Sequence, residues 1–136
     1  MQEGAEAEAG RRLEMLEVDA PSPEAGEAAA SRLLLGGQRP DAIVTYNDLI
    51  ALGLMNEARA LGVSIPRDVS IASFDDIAYG RYTSPTLTSV AMNSEQMGEV
   101  AMQRMIQLIN DELDAPFDEV LAPRLVVRES TSRRAS

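Results

Sequence analysis

The 136-residue chain is 45% hydrophobic and 25% charged, the balance of a globular domain, and its formal net charge of −10 sets it against binding nucleic-acid phosphates by itself. It has no cysteine and no histidine, and all 12 basic side chains are arginines; disulfides, thiolate metal sites, the commonest general base and any lysine Schiff base are thereby excluded. No stretch approaches the roughly 20 apolar residues of a membrane span, and the opening residues are acidic and polar rather than an apolar signal segment, so secretion has no support, and the lack of cysteine is compatible with a reducing cytosol.

Met1 to Arg12, rich in Glu, Ala and Gly, reads either as an acidic tail or as a helix remnant. Leu13 to Val18 shows a weak strand-like alternation, broken by Asp19 to Pro23. Glu24 to Leu35 is Ala-rich and predicts a helix ended by Gly36-Gly37. Ala42 to Tyr46 is a short, partly β-branched apolar run, expected to be a strand buried on both faces. Asp48 is the expected N-cap of the next helix, in which Ile50, Leu54, Ala58 and Leu61 recur at helical spacing until Gly62 supplies a left-handed stop. Ile65 to Val69 leads into a second buried strand, Val69 to Phe74. Leu87 to Val90 is a short strand after Ser84-Pro85. Ser94 caps a helix running to about Asp111, with Met97, Ala101, Met105, Leu108 and Ile109 as its apolar stripe. Val120 to Arg128 reads as a last strand, interrupted near Pro123, and residues 131–136 as a loose polar tail.

Short apolar strands alternating with amphipathic helices predict an α/β fold: a three-layer parallel sheet flanked by helices, with right-handed crossovers. Such sheets bind ligands at the carboxyl ends of their strands. Two polar clusters follow predicted strands directly: Tyr46-Asn47-Asp48 and Asp75-Asp76. Consecutive strands are usually neighbours, which brings both clusters to one edge, within reach of one small molecule. A carboxylate accepts several hydrogen bonds, an amide donates and accepts, and a tyrosine ring offers a flat apolar face. That set suits a hydroxyl-rich or amine-bearing ligand. Blander roles stand beside these. Asn47 equally suits a turn, Asp76 the cap of the turn that follows, Tyr79 and Tyr82 a cover for the core or an interface, and Met97 and Met105 simple packing.

Catalysis has little support. The Asp75-Asp76 pair has the chemistry for acid–base or metal work, but a phosphoacceptor pocket of this kind needs a lysine. Gly36-Gly37 lacks the spacing of a phosphate loop, and no serine sits in a G-x-S-x-G elbow. The expectation is a binding module, not an enzyme, with no cofactor and no metal.

The run "PDAIVTYNDLIALGLMNEARALGVSIPRDVSIASFDDIAYGRYTSPTLTSV" resembles the effector-binding core of LacI/GalR-family transcriptional regulators. The family pattern is an apolar strand, N-D-x-x-A-x-G, a helix ending in Gly, P-x-D-[VI]-S, a strand ending G-[FY]-D-[DN], and P-x-L-T-[TS]-[VI]. The chain carries Asn47-Asp48, Ala51, Gly53 and Gly62, then Pro66, Asp68, Val69 and Ser70, then Phe74-Asp75-Asp76, then Pro85, Leu87, Thr88, Ser89 and Val90. Gly98, Ala101, "LVVRES" (Leu125 to Ser130) and the upstream "EAGEAAASRLL" also fit. The resemblance implies a cytoplasmic repressor or activator in which a basic headpiece reads DNA and a two-lobed, periplasmic-binding-protein-like core closes on a sugar or nucleobase.

Residues 13–130 would then be the C-terminal part of the effector-binding domain. The headpiece and most of the N-terminal lobe, with its effector-clamping arginine, would be missing, and helix 94–111 would pack on that absent lobe. Lacking it, the helix is expected to fold back on its own lobe or to pair with another copy. By the same resemblance, Asn47 is the effector-meeting amide, Asp75 the carboxylate that accepts effector hydroxyls or ring N–H groups, and Tyr46 a border of the pocket. Ser94 stands where some members stack an aromatic on the sugar. Ser73 replaces the usual glycine before Phe74, which implies an altered pocket shape. The family's dimer contact would use the Leu49–Leu61 helix with Tyr79 and Tyr82, implying a homodimer. The other reading of the same motifs is a lobe of a periplasmic-type sugar-binding transport receptor.

Overall fold

The computed structural model describes residues 13–112 and 118–133, so the expected acidic tail or helix remnant at 1–12 lies outside the described residues. Helix α1 (Pro23–Leu34) begins at a Ser22 cap, whose Oγ accepts the Ala25 N–H at 3.3 Å, with proline at the first helical position where no N–H is needed. Strand β1 (Ala42–Val44), helix α2 (Asp48–Ala60), strand β2 (Ser70–Phe74), a 3-10 turn (Ala78–Arg81), strand β3 (Thr88–Ala91), helix α3 (Ser94–Ile109) and strand β4 (Arg124–Val126) follow in order. Gly62 takes the left-handed conformation anticipated for the stop after α2, with φ +74°.

The sheet runs β1-β2-β3-β4. β1 and β2 are parallel, with Val44 opposite Ala72, and β2 and β3 are parallel, with Ala72 opposite Thr88. β4 lies antiparallel to β3, with Val90 opposite Leu125. The α/β class and the parallel-dominated sheet with helices therefore hold, with one antiparallel edge strand added, a common variation in α/β folds.

Several expectations are corrected. Leu13 to Val18 forms no strand. β1 is not buried on both faces: it is an edge strand among the described residues, and Val44 is 67% exposed. Ser94 is the first residue of α3 rather than its cap. Asn93 holds the cap position in the left-handed region, φ +52°, which asparagine tolerates.

The core lies where α1 and α2 meet the sheet: Leu34, Leu54, Val69, Ile71 and Leu87 are all fully buried. The two helices cross at backbone contact. A Cβ added at Gly53 would sit 1.8 Å from the Pro23 carbonyl oxygen, and one at Gly26 would sit 2.1 Å from the Ile50 carbonyl oxygen. The glycine of the N-D-x-x-A-x-G run is thus required by close approach of α1, and so is Gly26 on the opposing helix.

The C-terminal segment is tied down over more of its length than a loose tail from 131 would be. Ser130 is fully buried and stitches β2 to β3. Its carbonyl accepts the Ile71 N–H at 2.8 Å, its Oγ accepts the Thr88 N–H at 2.8 Å and lies 2.6 Å from the Ile71 carbonyl. Thr131 Oγ1 is 2.9 Å from Thr88 Oγ1, and the Ser132 N–H reaches Ser70 Oγ at 3.3 Å. Glu129 accepts the Thr86 N–H and hydroxyl, which holds its carboxyl below the usual glutamate range.

Helix α3 behaves differently from α1 and α2. It has no buried residue, and Met97, Met105 and Ile109 are 48%, 55% and 75% exposed. It does not fold back on its own lobe, contrary to the first of the two expectations above.

Gly53→Ala should destabilise this chain by about 1–3 kcal/mol or more through overpacking against Pro23. Gly98→Ala, where an added Cβ meets nothing within 4 Å, should stabilise it by about 1 kcal/mol through helix propensity. Urea denaturation of both variants checks the pair; equal effects would contradict the close helix crossing.

Candidate ligand-binding site

The carboxyl ends of β1 and β2 lie side by side because the two strands are parallel neighbours. Pairing continues one residue past β1, where the Thr45 N–H donates to the Ala72 carbonyl at 3.0 Å. The Thr45 and Ser73 hydroxyls, both buried, are 2.8 Å apart, and Thr45 Oγ1 also lies 3.0 Å from the Asn47 carbonyl oxygen. Ser73 therefore places its hydroxyl in a cross-strand contact in the interior.

Tyr46 follows, 80% exposed. Asn47 has extended backbone (φ −150°, ψ 168°), and its Oδ1 accepts the Ile50 N–H at 3.0 Å. Asn47 is thus the N-cap of α2, correcting the expectation that Asp48 would be. Its Nδ2 reaches the Pro21 carbonyl at 3.4 Å, which ties the approach to α1 to this edge. An amide nitrogen carries two hydrogens, so one N–H of Asn47 remains for another acceptor.

Asp48 is the first helical residue and only 1% exposed. Its Oδ1 accepts the Ser89 hydroxyl at 2.7 Å and its Oδ2 accepts the Ile77 N–H at 2.8 Å. The carboxylate also sits in the first turn of α2, where the helix dipole favours negative charge. A buried carboxylate satisfied on both oxygens is the condition under which such a group is tolerated.

The end of β2 is strained. Asp75 and Asp76 have φ of +106° and +53°, consecutive non-glycine residues on the positive side. Three successive amides hold the loop. The Asp75 N–H donates to the Val90 carbonyl at 2.9 Å, the Asp76 N–H to Ser89 Oγ at 3.0 Å, and the Ile77 N–H to Asp48. The Asp76 side chain is 6% exposed and pairs with Arg128, and with Arg81 at 3.3 Å. It does not cap the turn after it; it faces inward to the C-terminal segment. Arg128 Nη1 in turn donates to the Leu87 carbonyl at 2.6 Å. Asp75 is exposed.

The structure thus brings Asn47, Tyr46 and Asp75 to one edge. Asn47 and Asp75 each stand three residues beyond the paired Val44 and Ala72. Asp48, Ser89, Asp76 and Arg128 were not singled out as a set, yet they build the frame under this edge. The signals were faint: a serine in the interior of an otherwise apolar strand, and an arginine in "LVVRES". A concavity of about 880 Å³ lies elsewhere, at the amino ends of β1 and β2, lined by Ala42, Asp68, Ser70 and Thr131. It is open to solvent and its Arg67 and Asp68 pair with each other at 3.3 Å, so the strand-end rule favours the opposite edge. Among the described residues, no group of three or more Asp and Glu is arranged to hold a metal.

A parallel-dominated sheet with polar residues gathered at its carboxyl ends is the layout of ligand-binding α/β lobes. The chain belongs to the family described as "Periplasmic binding protein-like domain", matched over residues 1–131, and within it to the effector-binding cores of LacI/GalR-type regulators. It is 38% identical over 130 residues to HTH-type transcriptional regulator reg1 of Streptomyces lividans, covering 95% of this chain and 37% of that one. It is 41% identical over 110 residues to HTH-type transcriptional regulator MalR of Streptomyces coelicolor, covering 80% of this chain and 31% of that one. The chain therefore spans about a third of the length of these relatives. Among solved structures, it is similar to a LacI family regulator from Enterococcus faecium with bound ribose (TM-score 0.75, 27% identity, 81% of this chain, 40% of that one). It is also similar to a LacI family regulator from Arthrobacter sp. FB24 in complex with lactose (TM-score 0.75, 29% identity, 82% of this chain, 42% of that one).

Asp48→Ala should cost about 3 kcal/mol, because it takes the acceptor from a buried hydroxyl and a part-buried amide. Asn47→Ala should cost about 1 kcal/mol, the loss of a cap. Chemical denaturation ranks the two, and the reverse ranking would return the structural role to Asn47.

Proposed function

We propose that residues 13–130 form the effector-sensing and dimerising part of a LacI-type, DNA-binding transcriptional regulator that responds to a small sugar-like or nucleobase-like molecule. Asn47, Asp75 and Tyr46 are its effector contacts. The observation that carries this reading is the placement of Asn47 and Asp75 at equal distance along the chain past the Val44–Ala72 pair, at the carboxyl ends of neighbouring parallel strands. The ribose- and lactose-bound neighbours support a sugar.

In this reading the exposed Asp75 carboxylate accepts two hydroxyl donors from the effector, and Asn47 contributes its remaining N–H. Tyr46 covers an apolar face of the ring. Effector binding biases the arrangement of two lobes and so shifts the population competent for DNA, a coupling between sites rather than a reaction. The regulator is a binding module, not an enzyme, and works in the cytoplasm. DNA is read by a basic headpiece outside this sequence, in keeping with a net charge of −10 here. The N-terminal lobe covers the exposed apolar face of α3. A homodimer forms through α2 and the loop after β2, where Leu49, Tyr79 and Tyr82 are 39%, 74% and 84% exposed. The regulator relatives favour this reading over a transport receptor.

Calorimetric titration of the full-length protein with ribose, lactose and hypoxanthine identifies the effector class. Asp75→Ala should weaken binding of the responding compound by about 10- to 150-fold, the loss of a charge-assisted hydrogen bond, and abolish effector-dependent release from the operator while leaving operator binding intact. Unchanged effector response would remove Asp75 from the site.

A further inference from the structure

The loop that presents Asp75 is held in an unfavourable conformation, and the surroundings must supply what keeps it there. Two consecutive aspartates at positive φ resist the backbone preferences of ordinary residues, and Asp75 at +106° lies outside the left-handed helical well that aspartate tolerates. The amides of residues 75–77 are anchored by Val90, Ser89 and Asp48. Those anchors fix the N–H directions. The side-chain directions need a further constraint, and Asp76 receives one: its carboxylate is turned inward onto Arg128, both side chains being nearly buried at 6% and 12% exposure.

Arg128 is itself fixed at both ends. Its own N–H donates to Thr88 Oγ1 at 2.9 Å, and its Nη1 donates to the Leu87 carbonyl at 2.6 Å, while its Nη2 meets Asp76. One rigid guanidinium plane thus references the loop after β2 to the backbone at Leu87, just before β3. With Asp76 drawn inward, its chain neighbour Asp75 is left at the surface. Arg81, the second cation on Asp76, is 59% exposed and is too solvated to replace Arg128.

We infer that Arg128, acting through Asp76, is the positioning residue that sets the orientation of the Asp75 carboxylate for the effector. The inference rests on the reading of Asp75 as an effector contact. Charge alone is insufficient for this role. The two donors of Arg128 reach two different acceptors in a fixed geometry, whereas a lysine offers a single ammonium centre. Arg128→Lys therefore keeps the charge and loses the reference to Leu87.

The test is residue-resolved amide hydrogen exchange on the full-length protein, with the 13C shift of the Asp75 carboxyl read in parallel, in Arg128→Lys and in Asp76→Asn. In both variants the Asp76 and Ile77 amides should exchange about tenfold faster or more, while those of Thr45 and Ile71 in the sheet stay within about twofold. The Asp75 carboxyl shift should move, and the double variant should be no worse than the more affected single one. Equal acceleration at Thr45 and Ile71 would make Arg128 a general stabiliser and overturn the inference; so would an unchanged loop. Asp76→Asn decides the matter should Arg128→Lys not fold. No effector is needed for these readouts. A shifted loop together with Asp75→Ala that still responds to ribose, lactose or hypoxanthine would sink the effector reading and with it Arg128's role in binding, leaving it only as the loop's anchor.

Discussion

The carboxylate of Asp48 is the group on which the site edge depends. It is buried at the start of α2 and binds, through separate oxygens, the Ser89 hydroxyl from β3 and the Ile77 amide from the loop after β2. Three elements distant in sequence therefore share one anion. Its burial is tolerable because both oxygens are satisfied and the helix end supplies partial positive charge. Without it, the direct hydrogen bond between α2 and the loop bearing Asp75 would be lost.

Packing beneath that anion is equally demanding. α1 reaches α2 at backbone contact because Gly26 and Gly53 have no side chains. That close crossing brings Pro21, just before α1, near enough for the Asn47 amide. Sterics in the helix pair are thus transmitted to the rim of the site, in which Asn47 both caps α2 and faces the edge. The opposite arrangement holds at α3, which buries nothing here and presents Met97, Met105 and Ile109 to solvent. An amphipathic helix draws most of its stability from its covered face, so α3 depends on a partner surface far more than α1 or α2 does.

The sequence made the parallel frame legible because periodicity and glycine stops are local. The helix from Asp48 to Ala60 and the strand ending at Phe74 needed only their own residues to be seen. The family motifs carried the strand-end cluster as well. What escaped was non-local or directional. Asn47 and Asp48 are both good capping residues, and nothing in a linear pattern says which side chain turns back to Ile50 and which turns inward to Ser89. Arg128 meets Asp76 across 52 residues, a separation no spacing rule spans. The exposure of Val44 escaped for another reason: an apolar run reads as buried wherever its neighbours are assumed, and on β1 one side is an open edge.

Both strand ends follow one scheme. Asn47-Asp48 and Asp75-Asp76 are each a pair in which the second residue is an acid turned inward and the first stands at the edge. The inward acids, Asp48 and Asp76, are satisfied by Ser89, Ile77 and Arg128, all within the chain, and have little capacity left for a ligand. Of the two outward residues, Asn47 is held by its side chain as the cap of α2, whereas Asp75 is anchored through its backbone amide. The side chain at 75 is accordingly free to change with modest consequence for folding, whereas a change at 48 or 76 alters the frame itself. At the end of β2 the paired, inward acid and the exposed one are therefore adjacent residues rather than the same one.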